Sequence, residues 1–187
     1  MTAASPGIIS FFLENGYYPN HEAYVYALAD AIKQEYDAIS QAGLLLQVDC
    51  PDLGAGRSAL IAHAPLEEFR RWAMINLEAL NYAVRDIPAD RMRLHLCWGN
   101  HKGPHQHDVP LRDIIDLVLQ ARPAGLSFEA ANPRHEHGWT VFAEVKLPEE
   151  KVLIPGILDS TTNFIEHPKL VAQRIAHFAS LVGVLAT

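Results

Sequence analysis

The chain has 187 residues, which is enough for one domain with a buried core, and its hydrophobic and charged fractions of 49% and 20% are ordinary for a globular protein. Its 22 acidic and 15 basic residues give a formal net charge of −7, and no Lys/Arg cluster stands out, which argues against binding to nucleic acid. No apolar run approaches the roughly 20 residues of a membrane-spanning helix, and no signal-peptide pattern begins the chain. Two cysteines without such a signal predict a reducing, cytoplasmic compartment.

The first predicted elements are a short strand, a helix and a second strand. Residues 2–5 are predicted to be the tail of a strand. Residues 21–42 are predicted to be a helix, because apolar side chains recur there at helical spacing and Gly43 follows its end. Residues 44–48 then read as a buried strand that leads into Asp49.

The rest of the chain alternates strand and helix. The predicted elements are a helix from Pro65, a strand that ends near Cys97, a helix at 110–121, a strand at 125–130, a short helix at 139–145, a strand at 152–158 and a helix beginning near Pro168. Nearly continuous apolar strands between amphipathic helices are typical of a parallel sheet covered by helices. The pattern therefore predicts an α/β fold with about four to five parallel strands, in a (β/α) barrel or an open sheet.

The most informative polar residues lie on the strand near Cys97. Apolar and polar side chains alternate there, so His95 and Cys97 point the same way. An imidazole and a thiol on one face of a strand can bind one soft or borderline metal ion, usually zinc. Glu129, at the end of the next strand, extends this to a predicted metal site for chemistry on a thiol. The alternative is that His95 and Cys97 simply pack in the core.

Two further carboxylates also follow predicted strands. Asp49 and Asp159 fall at strand ends, where α/β folds assemble their active sites. Asp49 is interpreted as a substrate contact, although it could instead cap the next turn. Asp159 is interpreted as either a substrate contact or a loop cap.

Several residues between the second and third predicted helices receive a structural interpretation. His101, His105 and His107 are expected in a solvated loop at the mouth of the pocket, because Gly and Pro interrupt them. Trp98 is expected to pack between strand and helix. The alternative for these three histidines is a role in a dedicated metal-storage protein, which would bind several zinc ions per chain.

Four segments carry a family resemblance, and they occur in the family's order. They are residues 47–51, 94–97, 127–129 and 155–159. Together they resemble the catalytic C-terminal barrel of cobalamin-independent methionine synthase, and most of all its shorter bacterial single-barrel relatives. The resemblance implies that residues 1–187 form one domain, a fragment of a (β/α)8 barrel. A full barrel needs about 250 residues, so we expect open sheet edges that favour self-association.

The resemblance also implies a chemistry. The family holds Zn²⁺ at the positions of His95, Cys97 and Glu129. The thiol of homocysteine binds as a thiolate and attacks the methyl group of a methyl-tetrahydrofolate, since zinc lowers the pKa of the thiol. Asp49 matches a carboxylate that contacts the amino group of the amino-acid substrate, and a carboxylate is a natural partner for an ammonium group.

Departures from the family pattern leave other functions open. The family's fourth ligand, a Cys in an Asp-Cys-Gly segment, has no matching position, and the first two barrel strands are absent. Residues 159–163 replace a segment that carries a His in methionine synthases. The alternatives are an epoxide–thiol transferase of the coenzyme M type, and a truncated, inactive remnant that binds zinc weakly.

Overall fold

A single parallel sheet organises the protein, which is described by a computed structural model covering residues 1–59, 64–100 and 102–182. Its five strands lie in the same order in space as in the chain. They are β1 (Thr2–Ala4), β2 (Leu46–Cys50), β3 (Met92–Leu96), β4 (Gly125–Glu129) and β5 (Val152–Gly156). Each neighbouring pair is parallel, so β1 and β5 form the two edges. The α/β fold predicted from the alternation of strands and helices is confirmed, and the strand predicted at the N-terminus is present as β1.

Helices connect the strands. In the described part of the chain they are α1 (Pro6–Phe12), α2 (His21–Gln41), α3 (Pro51–Gly54), α4 (Gly56–Ala59), α5 (Leu66–Ala83), α6 (Ile115–Val118) and α7 (Pro168–Val182), with 3-10 helices at Ala89–Arg91, Leu111–Asp113 and Glu136–Ala143. The three long helices, α2, α5 and α7, lie where the apolar periodicity predicts them. The short helices α1, α3 and α4 have no counterpart among the predicted elements.

Several predicted boundaries differ from the structure, and the strands predicted at 125–130 and 152–158 end at Glu129 and Gly156. The helix predicted at 110–121 is divided into a 3-10 turn and α6, because Ile114 between them has a non-helical φ of −134°. The short helix predicted at 139–145 is a 3-10 helix that begins at Glu136. The second strand begins two residues later than predicted, since Gly43 turns with a φ of 74° and Leu44 is exposed. Asp49 consequently lies within β2.

The two faces of the sheet differ in polarity. One face packs on the helices in the hydrophobic core, and its strand residues are Leu46, Val48, Cys50, Met92, Leu94, Leu96, Leu126 and Phe128. The opposite face carries side chains that are partly or fully exposed, namely Gln47, Asp49, Arg93, His95, Ser127 and Glu129. This alternation follows from the two-residue period of a strand. It leaves the candidate ligands on the polar face.

A buried polar cluster fixes the turn that follows β2. The Ser5 hydroxyl donates to Oδ1 of Asp52 at 2.6 Å, and Nδ2 of Asn76 donates to Oδ2 of Asp52 at 3.2 Å. Ser5 also caps α1 by accepting from the N–H of Ile8 at 3.0 Å. Burial raises the pKa of Asp52 to about 6. The cluster joins the N-terminal cap of α1 to α3 and α5, and it therefore holds the segment that follows β2 in place.

None of the helices in the described residues is long and apolar enough to cross a membrane.

Candidate metal and substrate site

Neighbouring strands bring two of the predicted residues side by side. Asp49 of β2 pairs in register with His95 of β3, and His95 pairs with Ser127 of β4. Cys97 follows directly after the last residue of β3. Because parallel strands end at the same edge of a sheet, these side chains collect at the C-terminal edge, where α/β proteins build their active sites.

Asp49, His95 and Cys97 form a compact group of possible metal ligands. One ligand atom from each residue lies within 4.8 Å of the others. The Nε2 atom of His95 is 3.8 Å from Oδ1 of Asp49. Imidazole, thiolate and carboxylate are the three donor types that zinc uses in proteins. The structure brings His95 and Cys97 together and adds Asp49 to them, and metal binding by His95 and Cys97 stays a prediction.

The carboxylate of Asp49 is the least satisfied part of this group. Its Oδ1 atom is buried and has no hydrogen-bond partner among the described residues. Burial raises the pKa of Asp49, and the nearby His95 opposes that rise. A buried carboxylate oxygen without a partner is costly, so the position favours a cation, either a metal ion or an ammonium group. The donor set and this oxygen together fit a zinc ion.

Backbone contacts hold Cys97 in place. The N–H of Ala55 donates to the Cys97 carbonyl at 3.0 Å, which ties the segment after β2 to the end of β3. The N–H of Gly99 donates to the Cys97 sulfur at 3.3 Å. Burial raises the pKa of the Cys97 thiol, and this hydrogen bond only partly offsets it. A thiolate at this position would therefore need a further positive charge, such as that of a divalent metal ion.

Glu129 stands apart from the group formed by Asp49, His95 and Cys97. It is not among the residues whose ligand atoms converge with those of His95 and Cys97. Its Oε1 atom accepts from the N–H groups of Ala131 and Asn132, both at 2.6 Å. These bonds shape the turn after β4. A carboxylate has a second oxygen, so they do not exclude a metal bond through Oε2, and the role of Glu129 as a zinc ligand stays a prediction.

Asp159 has the contacts of a loop cap. Its Oδ1 atom accepts from the N–H and the hydroxyl of Thr161 at 2.8 and 2.7 Å, and its Oδ2 atom accepts from Asn132 at 3.2 Å. Burial alone would raise the pKa of Asp159, but the hydrogen bonds from Thr161 and Asn132 outweigh it and lower the pKa. A substrate contact by Asp159 remains a prediction.

The histidine loop differs from the expectation. The side chain of His105 is only 3% exposed and contacts Asp108 at 2.7 Å, so it is not a solvated loop residue. His107 is exposed as expected. His101 lies outside the described residues. Trp98 is buried, yet it packs on the following loop, where its Nε1 donates to the Val109 carbonyl at 2.8 Å.

Arg174 on α7 is a structural residue that the sequence pattern does not reveal. It donates to Glu136 at 3.0 Å and forms an ion pair with Glu166. It also donates to the carbonyls of Ala131 and Ile157, both at 3.0 Å. One buried guanidinium thus joins α7 to the segments that follow β4 and β5. Its place on an apolar helix stripe gives no signal of these partners.

The other cysteine, Cys50, lies outside this group of side chains. Cys50 is buried on the core face of β2, and burial raises the pKa of its thiol well above the ordinary range. Both Cys50 and Cys97 are free thiols.

Comparisons in sequence connect the chain with methionine synthases. It is 29% identical over 123 residues to a methionine synthase of Saccharolobus solfataricus strain P2, which covers 64% of this chain and 32% of that protein. It is 30% identical over 117 residues to a methionine synthase of Saccharolobus islandicus strain L.S.2.15, which covers 61% of this chain and 31% of that protein. The aligned segment is thus about a third of each relative. No protein-family model matches the chain.

The fold has a solved counterpart. The chain is similar to a B12-independent methionine synthase from Shewanella sp. W3-18-1, solved in complex with selenomethionine, with a TM-score of 0.72 at 17% identity. The alignment covers 97% of this chain and 50% of that chain. The partial (β/α)8 barrel and the family resemblance expected from the sequence are therefore confirmed.

Proposed function

We propose that this chain, a relative of the methionine synthases that spans half of a solved one, carries a zinc site for methyl transfer to a thiol in methionine synthesis. The thiol would be that of homocysteine and the methyl donor a methyl-tetrahydrofolate. The observation that carries the proposal is the convergence of His95 and Cys97 with the unpartnered oxygen of Asp49 at the C-terminal edge of the sheet.

His95 and Cys97 would be the first two zinc ligands. Their imidazole and sulfur already lie in one group, and backbone hydrogen bonds to Cys97 fix its position. Glu129 would be the third ligand, as the resemblance implies. When bound, zinc supplies a Lewis acid that lowers the pKa of a thiol and so provides a nucleophile near neutral pH.

Asp49 would recognise the substrate. Its buried Oδ1 needs a positively charged or donor partner, and the ammonium group of an amino-acid thiol provides one. The same oxygen would repel the sulfonate of a coenzyme M type substrate. The charge of Asp49 thus favours homocysteine over the epoxide–thiol transferase alternative.

The remnant hypothesis has its own support. Residues 159–163 stand where the family carries a His, and Asp159 and Thr161 here form a hydrogen-bonded loop cap. Part of the catalytic machinery of a methionine synthase would then be replaced by a structural turn. Under this alternative the chain binds zinc at His95 and Cys97 without turnover.

The experiment combines metal content with methyl transfer. The purified chain is loaded with zinc and given homocysteine and isotopically labelled methyl-tetrahydrofolate. We expect labelled methionine and a zinc ion held by Cys97; Cys97→Ala should lose the methionine and that one zinc ion. Cys50→Ala is the matched control, because Cys50 is a free thiol on the opposite face. Zinc without labelled methionine favours the remnant, and a Cys97→Ala chain that still makes methionine would contradict the proposal.

Two expectations about the chain's surroundings accompany this function. We propose a cytoplasmic location because both cysteines are free thiols, as in a reducing compartment. Self-association through the open edges β1 and β5 is tested by light scattering, where a monodisperse monomer would count against it.

A further inference from the structure

A second cluster of metal-ligating side chains lies apart from His95 and Cys97. It joins His105 and Asp108, on the loop after β3, to His135, on the loop after β4. Oδ2 of Asp108 is 2.7 Å from Nδ1 of His105 and 3.0 Å from Nε2 of His135. Their ligand atoms all lie within 4.8 Å of one another. Two nitrogens and one oxygen therefore converge from two loops.

The side chains of the cluster are largely covered and packed against their neighbours. The side chains of His105, Asp108 and His135 are only 3%, 10% and 15% exposed. The ring of Trp98 stacks on His135 at 4.8 Å, and the N–H of Asp108 donates to the His105 carbonyl at 3.1 Å. Ligands fixed in this way lose little conformational freedom when they bind an ion, which favours binding.

The charge of the cluster suits a cation. The carboxylate of Asp108 is the shared partner of both rings. A carboxylate and two imidazoles form a donor set for zinc and for other divalent transition metals.

The cluster also opens onto a cavity. A cavity of about 360 Å³ is lined by its three residues together with Trp98 and Glu129. A site with three protein ligands and adjacent space leaves a coordination position for water or a small ligand, as in open zinc sites. A purely structural clamp between the two loops would need no such space.

From these observations we propose that His105, Asp108 and His135 form a second divalent metal site with an open coordination position. It shares no ligand with the group around Cys97, so it does not depend on the proposed function. Two sites per chain would also separate this protein from a metal-storage protein, which would bind more ions.

The test uses the Cys97→Ala chain, in which the first site is disabled. Zinc is added, bound metal is measured by elemental analysis after dialysis, and the ring nitrogens of ¹⁵N-labelled histidines are followed by NMR. We expect one zinc per chain and large shifts of the His105 and His135 ring nitrogens. Adding His135→Gln should abolish both the bound zinc and the shifts of the ring nitrogens. His107→Ala, at an exposed position on the same loop as His105, should leave both unchanged.

Two results would overturn the proposal. One is a Cys97→Ala chain that retains no zinc after dialysis. The other is bound zinc that leaves the ring nitrogens of His105 and His135 unshifted. Because the NMR measurement needs no change within the cluster, it remains decisive even where His135→Gln impairs folding. If the chain fails to transfer methyl groups, the bound zinc and the ring-nitrogen shifts would still report on this second site.

Discussion

Oδ1 of Asp49 lies 3.8 Å from Nε2 of His95, and yet this buried oxygen has no hydrogen-bond partner in the described residues. A full hydrogen bond needs a separation of about 3 Å, so His95 does not satisfy the carboxylate. The gap between them is the feature that a cation would fill.

Replacing Asp49 by Asn tests its role in substrate recognition. Asn keeps the shape but removes the charge that would pair with a substrate ammonium group. We expect the Kd of homocysteine for the zinc-loaded chain to rise about 10- to 100-fold, since hydrogen bonds to charged groups contribute roughly 1.5–3 kcal/mol. Isothermal titration calorimetry measures this. Zinc content should not change, and a loss of zinc instead would make Asp49 a metal ligand.

A methyl group added at Gly54 should disturb the metal site, although Gly54 is not one of the candidate ligands. A Cβ there would lie 2.4 Å from the Cys97 carbonyl oxygen, which must move. We expect Gly54→Ala to weaken zinc binding about 10-fold, in the range seen when the supports of metal ligands are altered. Competition with a chromophoric chelator measures the affinity.

Gly16→Ala is the matched control, because a Cβ at Gly16 would meet nothing within 4 Å. Its zinc affinity should equal that of the wild type. Equal affinities for Gly54→Ala and the wild type would show that the contact with Cys97 does not position the ligand.

The buried carboxyl of Asp52 should make stability depend on pH. Its pKa of about 6 in the folded state is above the ordinary value of 3.8, so folding favours the protonated form. The contribution of this group to stability is fully present below pH 3.8 and is lost as the pH rises through about 6. A rise of about two pKa units corresponds to roughly 3 kcal/mol.

The measurement is the free energy of unfolding in urea from pH 4 to 7, for the wild type and for Asp52→Asn. Asn cannot titrate, so the wild type should lose about 2 kcal/mol relative to the variant over this range, because part of the full change lies below pH 4. The fixed cost of placing an amide beside Asn76 cancels in that comparison. Parallel pH profiles would mean that Asp52 keeps an ordinary pKa.

Arg174 should make a large contribution to the free energy of unfolding. Arg174→Met removes the buried guanidinium and leaves Glu166 without its ion-pair partner. Breaking a buried pair in this way costs about 3–5 kcal/mol. The control is Arg112→Met, whose ion pair with Glu144 has side chains that are 59% and 62% exposed. Exposed pairs contribute less than about 1 kcal/mol. Similar losses in both variants, measured by urea unfolding, would contradict the role given to Arg174.

Local patterns in the sequence predict much of this protein. The long helices and the alternating strands are visible from apolar periodicity, and the shared face of His95 and Cys97 follows from the period of a strand. Helices of four residues such as α3 are too short to show such a period. They are set instead by contacts such as that between Ala55 and Cys97.

The parts of the site that the sequence does not reveal depend on contacts between distant segments. His135 and Asp108 are 27 residues apart and meet only because two loops pack together. The inclusion of Asp49 in the group with His95 and Cys97 depends on the register of β2 against β3, which pairs Asp49 with His95 and which apolar patterning does not resolve. Pairwise register and loop packing are properties of the tertiary fold.

The most direct test of the central claim is the absorption spectrum of the cobalt(II)-substituted chain. Cobalt(II) bound by a thiolate has an intense sulfur-to-metal charge-transfer band in the near ultraviolet, and nitrogen and oxygen ligands do not produce it. If His95 and Cys97 share one metal ion, the band appears in the wild type and in Cys50→Ala and is absent from Cys97→Ala. A wild-type chain without the band, or a band that survives in Cys97→Ala, would contradict the account.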